Sequence, residues 1–97
     1  MAETLTHDDF LPHLGKEFRF SGWHGVLTLE KVDVRQDRAM PNRTTPPFSA
    51  IFYGPRGDVL PEGLYEAKAG DAPGLSFYIM PIHTRAPDRQ DYQAVFN

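Results

Sequence analysis

The sequence predicts an all-β domain: about six antiparallel strands forming a small barrel or sandwich, with a short N-terminal helix. Three observations carry that expectation. Apolar and polar residues alternate at period two in one segment after another, the mark of a strand whose two faces meet different surroundings. Clusters of Gly, Pro, Asp and Asn separate those segments, supplying the backbone conformations that turns require. No helical pattern stands between the strands. Parallel strands need long crossovers, so the short connections favour antiparallel neighbours.

The chain has 97 residues, enough for one domain spanning 1–97 that buries roughly 60–65% of its unfolded surface. Seven Phe, four Tyr and one Trp supply a core without covalent staples. There is no cysteine, which excludes disulfides, thiolate metal sites and cysteine nucleophiles. The net charge of −3 and the lack of any Lys/Arg tract argue against non-specific nucleic-acid binding. "MAETLTHDDF" carries acids where a signal peptide has a positive start followed by an apolar run. No apolar stretch approaches the ~20 residues of a membrane helix. The expectation is a cytoplasmic product as synthesised, with no signal peptide, no transmembrane segment and no membrane or nucleic-acid partner.

The elements follow in order. Residues 5–14, "LTHDDFLPHL", form the short helix: Thr6 is the expected N-cap, and Asp8 and Asp9 complement the helix dipole in the first turn. Pro12 cuts the turn early and Gly15 stops it. Residues 17–34 hold two strands in a hairpin around "SGWHG", with Phe18 and Phe20 on one face of the first. In the second, Val26, Thr28, Glu30, Val32 and Val34 alternate against Leu27, Leu29, Lys31 and Asp33. "RQDRAMPNRTTPP", from Arg35 to Pro47, is a long loop with three prolines. Strand regions then run over 48–54, 64–69, 75–82 and 91–97, with Phe48, Ala50, Phe52, Tyr65, Ala67, Ala69, Phe77, Ile79, Tyr92 and Phe96 directed to the core. The last strand is expected to close the sheet by pairing with an early one such as "EFRFSG".

"PPFSAIFYGP", "LPEGLYEAK", "GLSFYIMPI" and "YQAVFN", in that order and after an opening "FLPHLGKEFRF", resemble a small bacterial family, domain of unknown function 6916. The likeness spans nearly the whole chain apart from the Arg35–Pro47 loop. It implies a single bacterial domain of this length with an accessory or structural role, sometimes near phage-tail-collar-type fibre proteins. It brings no catalytic residue to any position here.

The residues themselves offer little chemistry. His7, His13, His24 and His83 invite a metal, but His7 and His13 are six apart, not the three or four that share a helix face. "PRGD" (55–58) reads as a β-turn made of turn-forming residues rather than a receptor motif. Ser21, Ser49 and Ser76 lack a nucleophile-elbow context. Asp8 and Asp9 are adjacent, so on a helix they diverge by about 100°. No catalytic, cofactor-binding or metal-binding residue is assigned, and no cofactor is expected.

Surplus apolar surface is more informative. "FSAIFY", "LSFYIMPI" and "YQAVF" are apolar on both faces, whereas one face of a small barrel is normally wet. Ile51, Tyr53, Tyr78, Met80 and Val95 have no home in the core. Phe10 and Leu14 are expected to cover part of that second face, and a partner the remainder. The candidate interface is Ile51, Tyr53, Tyr78 and Met80 together with Arg35, Arg38 and Arg43, since Tyr, Met and Arg are enriched at interfaces. The expected function is non-enzymatic: a structural or assembly module acting through protein–protein contact or self-association, in a phage-tail-like or fibre assembly. The alternative is a small-molecule-binding β-barrel whose aromatics line a pocket; a hydrolase or metal-binding protein ranks below both.

Overall fold

A computed structural model describes residues 5–34, 47–84 and 86–96. Six antiparallel strands close into a barrel: β1 (Glu17–Phe20), β2 (Val26–Val34), β3 (Phe48–Gly54), β4 (Gly63–Ala69), β5 (Leu75–Ile82) and β6 (Gln90–Phe96). The order around the barrel is β1-β2-β3-β6-β5-β4, two three-stranded meanders joined along both sides. This corrects the expected closure. β6 lies between β3 and β5, and the barrel is closed by β1 pairing with β4. Alternation dictates which face a strand buries but not which neighbour it takes. No helix among the described residues is long and apolar enough to cross a membrane.

The N-terminal segment forms two successive 3-10 turns, His7–Asp9 and Leu11–His13. An α-helix running on through this segment would need the Pro12 N–H, which does not exist, so the chain tightens into shorter turns. Thr6 donates its amide to the Asp9 carboxylate at 2.8 Å, half of a capping box. Gly15, at φ +80, turns the chain into the sheet in a conformation that costs glycine little.

The segment does not cover the outer face. Phe10 is wholly buried, whereas Leu14 and Leu11 are exposed. Phe10 closes the barrel interior instead, with ring centroids 5.4 Å from Phe77, 5.3 Å from Phe96 and 5.7 Å from Phe48. Through these contacts all seven Phe of the chain join one aromatic network. Phe18 meets Phe52 edge-on at 5.2 Å, Phe20 meets Phe77 at 5.9 Å, and Phe48 stacks on its cross-strand partner Phe96 at 4.4 Å. Each such pair contributes about 0.5–1.5 kcal/mol beyond its burial.

Strand β2 departs from strict alternation. Leu29 stands opposite Phe52 and Lys31 opposite Ile51, a bulge at Glu30. The extra residue lets Leu27 and Leu29 before it, and Val32 and Val34 after it, all pack on the core. It also leaves Glu30 outside, where its carboxylate accepts from Arg89 at 3.0 and 3.2 Å.

Candidate interaction surface

Directions around the barrel follow from register. On β4, Tyr65, Ala67 and Ala69 turn inward, so Leu64, Glu66 and Lys68 face out. Leu64 stands directly opposite Tyr78 of β5. On the next pair, Met80 stands opposite Gln93 of β6, which in turn stands opposite Ile51 of β3. The β5–β6 ladder covers Met80–Ile82 against Asp91–Gln93, although both strands run on past it. Tyr78 and Val95 lie on the outer face beyond that short ladder. Leu64 is 73% exposed, Tyr78 46% and Val95 49%. Leu64 and Tyr78 form an apolar cross-strand pair on the outside of β4 and β5, with Val95 exposed on β6, and Glu62 borders the pair with a carboxylate that accepts the Tyr78 hydroxyl. That bond favours the neutral phenol and, with a smaller contribution from burial and from the Glu62 charge, raises the Tyr78 pKa above the ordinary tyrosine value.

The sequence-derived residues separate into three groups. Tyr78 and Met80 lie on this outer face, Tyr78 exposed and Met80 half-buried. Ile51 points the same way but is buried, so it presents no contact surface. Tyr53 is half-buried and belongs elsewhere: Arg89 lies over its ring at 4.8 Å. Arg35, Arg38 and Arg43 lie outside the described residues. Leu64 was not anticipated, yet its signal was present, since it shares the parity of Glu66 and Lys68 rather than of Tyr65 and Ala67.

A second surface gathers around Arg89. Its Nε pairs with Asp91 at 2.8 Å while the guanidinium reaches Glu30. Burial alone would lower its pKa, but the two carboxylates outweigh that and hold the side chain charged. Beside it runs an open groove of about 650 Å³ bordered by Val26, Thr28, Tyr53, Pro55 and Asp88. The barrel interior, by contrast, is filled by Phe18, Phe20, Leu27, Leu29, Phe52, Ile79 and Tyr92, each no more than 2% exposed.

The turn "PRGD" does structural work. Arg56 Nη1 donates to the carbonyls of Ala86 at 2.9 Å and Arg89 at 3.1 Å, with a longer contact to Thr84 at 3.4 Å. Asp58 accepts from His24 at 2.5 Å, tying the β1–β2 turn to the β3–β4 connection. His7 contacts Asp8, and His13 stands edge-on to Phe18. Among the described residues, no group of three or more His, Asp or Glu is arranged to hold a metal ion.

A small closed β-barrel with a filled aromatic interior and an exposed apolar pair on its outer face defines the class of this protein. More particularly, residues 5–96 match the model of a family described as domain of unknown function DUF6916, and the chain belongs to that family. No curated protein and no solved structure matches the chain.

Proposed function

We propose that this domain works by protein–protein contact rather than catalysis, and that the outer face carrying Leu64, Tyr78 and Val95 is the contact surface. The observation that supports this reading most directly is the cross-strand pair Leu64–Tyr78, exposed by 73% and 46% on an outer face where water would favour polar residues. The favoured occupant is a second copy of the chain. An apolar face is complementary to itself under a two-fold axis, where a charged patch would repel its own image. The filled interior supports this reading over a ligand-binding barrel, because a pocket for a small molecule normally needs a few hundred Å³ of enclosed space. The resemblance read from the sequence suggests a fibre or phage-tail-like assembly as the setting.

Size-exclusion chromatography with light scattering on the whole chain tests the proposal. The wild type is expected to self-associate in a concentration-dependent manner. Tyr78→Asp and Leu64→Asp are each expected to give a monomer with an unchanged circular dichroism spectrum, since neither residue belongs to the buried core. A wild type that stays monomeric at all concentrations overturns the second-copy assignment, and dimers that survive both substitutions overturn the contact surface.

A further inference from the structure

We propose that the β1–β4 seam is a binding site for a small oxyanion carried on a planar, apolar body. Arg19 and Lys68 are direct cross-strand partners and both face outward. Like charges set opposite each other oppose sheet formation. Among the described residues, neither cation has a carboxylate within ion-pair distance. The acids beside them on the same strands, Glu17 and Glu66, form no ion pair with either cation. Glu66 lays its carboxylate over Gly74, with Oε2 only 2.7 Å from where a Cβ would stand there. Glu17 borders the separate groove near Val26 and Thr28.

The cation pair borders a recess of about 410 Å³ whose other walls include Ser21, Trp23 and Gly70, with Glu66 as its one carboxylate. Trp23 is held in place from behind: its six-membered ring lies over Gly25, where a Cβ would come within 2.8 Å of it. The recess therefore offers two positive side chains for the oxygens of a phosphate or carboxylate and an indole for a ring attached to it. The site lies toward the other end of β4 from Leu64 and does not depend on the apolar pair.

Trp23 is the single tryptophan of the chain, so intrinsic fluorescence reports on this recess. Titrating phenyl phosphate into the full-length protein at low salt is expected to give a saturable change that weakens as ionic strength rises. Inorganic phosphate is expected to compete with it, and benzoate to bind more weakly than phenyl phosphate. Arg19→Gln and Lys68→Gln are each expected to weaken binding about tenfold, whereas Lys31→Gln, a cation on β2 already 3.7 Å from Asp33, leaves it unchanged. In the ligand-free protein, Lys68→Gln is expected to raise the melting temperature by relieving the like-charge pair. A change that does not saturate, or equal affinity in all three variants, overturns the site. A melting temperature unmoved by Lys68→Gln removes the electrostatic reason for it.

Discussion

Tyr92 has no exposed surface, and its hydroxyl accepts the Leu60 amide at 2.8 Å. Burial raises its pKa first, the nearby Asp58 charge adds to that, and the bond from Leu60 opposes both. Tyr78 is raised too, by its bond to Glu62. A tyrosine whose folded pKa lies above its unfolded value favours folding as the neutral phenol. That contribution is complete below the unfolded value of about 10 and is lost as pH rises through the higher folded value. An alkaline absorbance titration should therefore show Tyr78 and Tyr92 ionising late. Tyr78→Phe should remove one late step and cost little stability, because its bond to Glu62 is exposed to water. Tyr92→Phe should remove the other and destabilise the fold by about 1–3 kcal/mol, because the buried Leu60 amide loses its acceptor. Two late steps that persist in both variants would contradict these assignments. Residue-scale chemistry of this kind was only half legible. The alternation in "YQAVF" predicts that Tyr92 is buried, but nothing local names Leu60 as its partner, 32 residues away.

Strands were the most legible scale. The segments 48–54 and 75–82 match β3 and β5, while β4 and β6 each begin one residue earlier than expected. Connections were less so. Arg56 sits in a turn recognisable from its Pro and Gly, yet its role comes from the carbonyls of the 84–89 segment that it gathers. Thr84, buried at 8% exposure, completes that connection by accepting the Asp91 amide at 2.8 Å and donating to the Ile82 carbonyl at 3.1 Å. Arg56→Gln should free those carbonyls. The expected result is faster amide exchange between Thr84 and Asp91 and a loss of about 1 kcal/mol. Unchanged exchange in that segment would show that Thr84, together with the Gln90 side-chain amide that donates to the Ile82 carbonyl at 2.8 Å, holds the connection without Arg56. The bulge at Glu30 was illegible for a different reason: a single extra residue reverses the face of everything after it. In β2 the valines at 32 and 34 satisfy the core only once that reversal is made.

At the scale of the whole molecule, stability depends on closure. β6 pairs with β3 at seven consecutive positions from Gln90 to Phe96 and contributes Tyr92, Ala94 and Phe96 to the interior or its margin. Removing residues 92–97 would open the barrel along β3, expose the aromatic network and leave unpaired strand edges. The truncated chain is expected to lose its cooperative thermal transition by circular dichroism. A truncated chain that still melts cooperatively would show that β6 is dispensable to the core. Because pairing around the barrel is so largely non-local, folding speed should also depend on bringing β3 and β6 together across more than 30 residues of chain.

The sequence by itself determined the all-β class, the strand segments and the inward set of Phe, Ala and Tyr residues, because side-chain period and turn chemistry are local properties of the backbone. It also showed that more apolar surface exists than a small barrel can hide. Only the tertiary structure decided where that surplus goes. Phe10 enters the core, Ile51 is buried, Tyr53 stacks under Arg89, and Leu64, Tyr78 and Val95 stay exposed. The reason is geometric. A period of two assigns each residue to a face, but which outward residues meet is set by strand order and register, and those are fixed only when β1 meets β4 and β3 meets β6.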